Sequence, residues 1–282
     1  MAIKLVTDST SYINMDTQKD LDIKTINLSV HFSDESFDET KVPYDYFYEK
    51  VEQEATIPSS SQPTIGEMYE VFKEIIIRGE QVLGIFISSK MSGTYQTALS
   101  AKQMILEEYP QALIEIFDSK TNCMALGIQV IEAAMAAKAG KKMEEVLAIT
   151  QQVSEKVHFY FVPASLQYLI KGGRIGGAAA LIGSFLNIRP ILYVNDGMTD
   201  VLDKFRGTKK AINHMLKILQ EDTQKYGIKH LMVHHIFDEE QGRKLAEYLS
   251  EQYNRTVPAL SIGPVIGAHV GPGAIGIVYC TE

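Results

Sequence analysis

Short apolar runs alternate with segments of helical spacing along the first half of the chain. Ile3 to Val6 stops at the turn-forming cluster Asp8-Ser9-Thr10-Ser11, Val82 to Ile87 stops at Ser88-Ser89, and Leu113 to Phe117 stops at Asp118-Ser119. Each reads as a buried strand with polar residues at its carboxyl end. Between them, Met68, Val71, Phe72, Ile75 and Ile76 recur at three-four spacing, as do apolar residues from Tyr95 to Tyr109, which predicts helices. Strands alternating with helices imply a parallel sheet. Helices predicted over 124–139 and 143–153 lead to a strand over 158–162, and the texture then changes. A short helix over 165–170 is broken by the glycine pairs around Arg174, and strands over 191–194 and 200–205 flank Asn195-Asp196-Gly197, a hairpin signal. A helix over 207–225, a strand over 229–235, a helix over 238–253 and strands over 257–262 and 274–280 follow. The pattern predicts an α/β domain with a parallel sheet over residues 1–160 and an α+β domain over 161–282. Segment 33–60 has no clear period apart from a helix over 44–53, and reads as a long connection able to cover a site.

Composition narrows the classes. The 282 residues suffice for about two domains, and 45% hydrophobic with 22% charged residues excludes a disordered chain. Lys+Arg 27 against Asp+Glu 35 gives a net charge of -8, so no broad basic surface is available for nucleic acid, a local patch aside. Apolar stretches are broken well short of the ~18 residues of a membrane span. The N-terminus reads as a strand rather than a signal peptide, so a cytoplasmic location is expected. Cys123 and Cys280 form no motif and read as two reduced, apolar residues.

Two motifs are set aside on context. Gly271-Pro272-Gly273-Ala274-Ile275-Gly276 satisfies the dinucleotide fingerprint by letter, but a β-branched strand follows where a helix is required. His230 and His234 lie on a strand-like run, which separates them by roughly 13 Å, too far for one ion; no metal is expected. No P-loop, nucleophile elbow, C-x-x-C or H-E-x-x-H occurs, so no engine for hydrolysis or phosphoryl transfer is recognisable. What remains is a set of hydroxyl and glycine clusters at 59–63, 88–94 and 263–273. Such clusters bind anions at helix starts or simply cap helices. Arg174, between two glycine pairs, suits a phosphate or is a solvated arginine.

Taken in order, Asp8-Ser9-Thr10-Ser11, Ser60-Ser61-Gln62-Pro63, the run from Ile87 to Tyr95, Asp118-Ser119-Lys120, Leu169 to Ile175 and Gly263 to Gly273 resemble the signatures of the DegV family across essentially the whole chain. The resemblance implies a two-domain fold holding a long-chain fatty acid between the domains. It further implies a bacterial carrier that presents the acid to a separate fatty acid kinase, which makes the acyl phosphate used in phospholipid synthesis. Carried over by position, the carboxylate would be held by Ser92 with Gly93, by the Ser60-Ser61 pair and by His269, and Arg174 would contact the phosphate or the partner. Ser60 stands where the family more often has Thr, and Thr121-Asn122-Cys123 depart from the usual choices, so that loop is assigned no role.

The implied ligand makes physical sense. Burying some 15 methylenes at ~0.8 kcal/mol each yields a gross ~12 kcal/mol before ordering costs, while the carboxylate must find donors or protonate. Expected tunnel walls are Phe86, Ile266 and the small-residue segment 177–186 with Leu181, Ile182 and Phe185, whose glycines would let it open as a lid. No cofactor is expected, and membrane contact is at most transient. Two other classes stay open at this stage: an autonomous enzyme on a small hydroxyl or carbonyl substrate with His269 catalytic, as the related fold of dihydroxyacetone kinase subunits suggests, and a regulatory module with an incidental cavity.

Overall fold

The computed structural model describes residues 2–54, 57–183 and 188–282. β1 (Ile3–Asp8) ends in a single 3-10 turn over 9–11 that Asp8 caps by accepting from the Thr10 N–H at 3.0 Å. Next come α1 (Met15–Leu21) and β2 (Lys24–Ile26), which pairs in parallel with β1. Segment 33–60 is not a structureless connection. β3 (Ser29–His31), β4 (Ser36–Asp38) and β5 (Ser59–Ser61) form a small antiparallel sheet in the order β4-β3-β5, with α2 (Tyr44–Glu54) between the last two strands. Strands of three residues are too short for alternation to emerge, and α2 is legible because Phe47, Tyr48 and Val51 make one buried stripe.

α3 (Ile65–Ile77) starts at a capping box between Thr64 and Glu67. β6 (Gln81–Phe86), α4 (Thr94–Glu108) and β7 (Ile114–Asp118) complete a four-stranded parallel sheet, β2-β1-β6-β7. The period of two sorts its side chains. Val6, Val82 and Phe86 pack with Met68, Phe72 and Ile105 of α3 and α4, whereas Leu5, Leu83, Ile85 and Ile87 face the opposite way, toward α5 (Cys123–Lys138). α5 is apolar nearly all round and is buried over most of its surface, as such a helix must be.

α6 (Met143–Lys156) runs straight into β8 (Val157–Val162). α7 (Gln167–Lys171) and a 3-10 turn over Gly176–Leu181 precede the hairpin of β9 (Ile188–Asn195) and β10 (Met198–Arg206). The hairpin turns on Asp196 (φ 43°) and Gly197 (φ 82°); two successive positive φ values are what a two-residue type I′ turn requires. α8 (Thr208–Tyr226), β11 (His230–His235), α9 (Glu239–Tyr253), β12 (Ala259–Ser261), α10 (Pro264–Val270) and β13 (Ile275–Cys280) finish the chain. The second sheet, β10-β9-β8-β13-β11-β12, is antiparallel except for the β11–β12 pair. β8 pairs with β13 and β9, so a cut at residue 160 would divide a strand. The change of sheets falls between α6 and β8. Tyr160, Val162, Ile275 and Ile277 pack beneath α8 and α9, while Phe161, Leu192 and Val278 join the α5 side in one cluster with Leu5 and Ile85. The largest apolar core therefore bridges the two sheets.

Candidate functional site

A narrow, mainly apolar cavity opens within that bridging core. Its apolar walls come from Ile87 and Met91 after β6, Phe159 and Phe161 of β8, Val194 of β9, and Ile262 and Ile266 beside and on α10.

The polar residues of the cavity converge from distant parts of the chain. Ser60 Oγ lies 2.7 Å from His269 Nε2, so β5 and α10 meet there. Gln62 crosses to α4, where its amide donates to Thr97 Oγ1 at 3.2 Å. A Cβ on Gly93 would lie 2.3 Å from that amide, so a side chain before α4 would push Gln62 aside. Ser92, beside it, has its hydroxyl 2.9 Å from Thr94 Oγ1. Arg174 donates from Nε to Met91 O at 3.0 Å and from Nη1 to Gly172 O at 2.6 Å. No carboxylate partner for it is found among the described residues, which leaves its charge unneutralised by protein acids there. Outside the cavity, a surface depression shares Ser60, Arg174 and His269 and adds Lys171.

Burial, followed by the nearby Arg174 charge, lowers the His269 imidazole to about 4. It is neutral at pH 7, so the site offers a neutral imidazole and hydroxyls backed by a single guanidinium. The folded value lies below the ordinary 6.5, so this histidine contributes stability that is present above about pH 6.5 and is lost as pH falls through about 4. We expect the melting temperature to fall over that window and the fall to be shallower in His269→Asn. Melts recorded at several pH values check this, and an identical slope in the variant would contradict it.

Of the residues singled out from the sequence, Ser60, Ser92, Arg174, His269 and Ile266 line the cavity. Others do not. Ser61, one position along β5, points to the opposite face and meets His31 Nε2 at 2.8 Å. Gly93 acts by admitting Gln62 rather than by lining the space. Phe86 is packed against α3 and α4 on the far side of the first sheet; its neighbour Ile87 is the wall residue. Leu181 and Ile182 are not among the lining residues, and Ile182 is 56% exposed. The turn that carries Leu181 packs on β10, and it is Thr199 of β10 that reaches the cavity. Phe185 lies outside the described residues. His234, which strand spacing sets too far from His230 to share an ion, is buried in the cavity wall. Its Nε2 accepts from the Met124 N–H at 3.3 Å, and burial pushes it down to about 3. The alternation of β11 alone could not tell which sheet face held the cavity.

This architecture has known counterparts. A family model described as an uncharacterised protein of the DegV family matches residues 2–282. The chain belongs to the DegV family. A DegV domain-containing protein of Clostridium acetobutylicum is 48% identical over 282 residues, covering 100% of this chain and 99% of the relative. Protein DegV of Bacillus subtilis is 35% identical over 285 residues, covering 99% of each. Among solved structures, a DegV family protein from Thermus thermophilus described for its fatty acid binding superposes with a TM-score of 0.89 at 30% identity over 100% of both chains. The Bacillus subtilis DegV crystal structure, described as a fatty acid binding protein, gives 0.88 at 33% identity, again over 100% of both. The fold of this DegV-family chain is thus the α/β, two-domain arrangement that its motifs implied.

Proposed function

We propose that this protein binds one long-chain fatty acid in the cavity between its sheets, and that Ser60, Ser92 and His269 hold the carboxylate. The observation that carries the reading is a mainly apolar cavity lined by all three of these residues, in which Ser60 meets His269 at 2.7 Å. A tail gains from burial there in proportion to its length, and the head keeps hydrogen bonds without facing an acidic group among the lining residues. The relatives described as fatty acid binding proteins support the same reading. We further propose that the bound acid is presented at the outer depression to a separate kinase for acyl-phosphate formation in phospholipid synthesis, in the cytoplasm. We place the division of domains between α6 and β8.

One feature bears on the competing enzymatic reading. A Ser–His pair used as nucleophile and base needs a third group to orient the imidazole, and His269 Nδ1 is buried with no hydrogen-bond partner among the described residues. The pair suits binding better than covalent catalysis.

The test is mass spectrometry of an organic extract of the purified protein, followed by titration of the stripped protein with palmitate. We expect about one long-chain acid per chain and saturable palmitate binding. An empty extract together with no binding would overturn the proposal.

A further inference from the structure

Glu39 is 1% exposed, and nothing in the lipid-binding reading uses it. It follows β4 and lies against the first turn of α10, the helix that bears His269. One carboxylate oxygen accepts from the Val265 N–H at 3.0 Å and from the Tyr12 hydroxyl at 2.9 Å, and the other accepts from Ser9 Oγ at 2.5 Å. Ser9 Oγ in turn accepts from the Leu28 N–H at 3.1 Å. Beside it, the Tyr48 hydroxyl of α2 donates to Ile262 O at 2.7 Å, just ahead of α10. Three donors from the turn after β1 and from α10 thus end on one carboxylate.

We propose that Glu39 is a positioning residue for the head-group end of the cavity: it ties the first turn of α10 to the turn after β1, and so sets His269 against Ser60. The inference rests on the reading of that end as the carboxylate site. Its physical basis is that α10 has only seven residues, too few to hold its own direction by helical hydrogen bonds alone. Its two ends are fixed from outside, the first by Glu39 at Val265 and the last by Ser60 at His269. A negative charge at the first turn also complements the exposed N–H groups there.

The arrangement costs stability. The titratable groups facing Glu39 are Asp8 and Tyr12 from the β1 side, Tyr44 and Tyr48 from α2, and Cys123 from α5, all of them acids. Burial raises the Glu39 carboxyl from 4.5 to about 7, with the three hydrogen bonds working against the rise. A raised acid contributes stability that is complete below about pH 4.5 and is lost as pH rises through about 7. A glutamine there has no charge to desolvate.

The experiment compares Glu39→Gln with wild type in three measurements. In the ligand-free protein, the His269 imidazole signals in an NMR titration are expected to shift, because α10 is no longer tied down. At pH 8, palmitate affinity is expected to fall roughly ten-fold, the equivalent of about one net hydrogen bond lost from the head-group geometry. The melting temperature of the variant relative to wild type is expected to rise from pH 5 to pH 8, opposite to the change in affinity. Affinity falling only in step with melting temperature, or unchanged His269 signals, would overturn the proposal. Should Glu39→Gln fail to fold, Tyr12→Phe removes one donor to the same carboxylate and is expected to shift the His269 signals and weaken palmitate binding in the same direction, and no change in either would overturn the proposal. If wild type does not bind palmitate, the lipid reading falls alone, and the ligand-free His269 signals still decide the role of Glu39.

Discussion

Replacing His269 or Ser92 by alanine is expected to weaken palmitate binding by about ten- to a hundred-fold while leaving the melting temperature at pH 7 nearly unchanged. A charge-assisted hydrogen bond lost from a buried carboxylate costs ~1.5–3 kcal/mol, because the acid would otherwise sit in an apolar cavity without donors. Neither side chain fills the core: His269 is half-buried at the mouth, and Ser92 precedes a helix whose capping residue is Gly93. The contact between Ser60 and His269 adds a sharper expectation. Ser60→Ala and His269→Ala touch the same donor pair, so their effects should not add, and the double variant should bind about as weakly as the worse single one. Ser92 bonds to Thr94 rather than to that pair, so Ser92→Ala should combine more nearly additively. Displacement of a fluorescent fatty acid, read beside thermal melts, measures all of these. Unchanged affinity in both single variants would remove His269 and Ser92 from the head-group site.

The sequence made the long elements legible and left the site's faces ambiguous. Val82 to Ile87 is apolar throughout because β6 is covered on both sides, by α3 and α4 on one and by α5 on the other. With no polar alternation to mark a face, choosing Phe86 rather than Ile87 as a wall was a choice between two sheet faces that the run itself could not make. Ser60 and Ser61 pose the same problem on a strand of three residues, where one step separates the cavity from His31. The wall expected from the small residues after Arg174 came instead from the aromatic pair Phe159 and Phe161 and from Val194 and Thr199. Those are sheet positions, and the start of α5, whose Cys123 also lines the cavity, precedes all of them by tens of residues. The meeting of Ser60 with His269 across 209 positions follows from no local spacing. Only the ordered motifs of the family resemblance pointed to it.

Arg174→Ala is expected to reduce kinase-dependent acyl-phosphate formation at least about ten-fold while changing palmitate affinity by less than about three-fold, since one guanidinium can supply more than a single hydrogen bond to a phosphate. Two backbone carbonyls, Met91 O and Gly172 O, hold the guanidinium through Nε and Nη1. Its remaining nitrogen and its net charge are left to the cavity mouth. There Arg174, with Ser60 and His269, borders both the cavity and the outer depression that Lys171 also lines. A carboxylate at the inner side becomes, on phosphorylation, a group with more charge that extends toward the outer side. The demand for a cation therefore rises between acid and acyl phosphate, which is the condition for a residue to matter more to turnover than to binding. The proposed tail contacts, expected to supply most of the affinity, are untouched by the substitution. In the proposed division of labour the separate kinase grips the nucleotide, and the assay pairs this protein with that kinase. Palmitate affinity and kinase-dependent turnover are measured on the one variant. Equal losses in both would put Arg174 in the lipid site itself, and acyl phosphate formed without the kinase would overturn the carrier reading altogether.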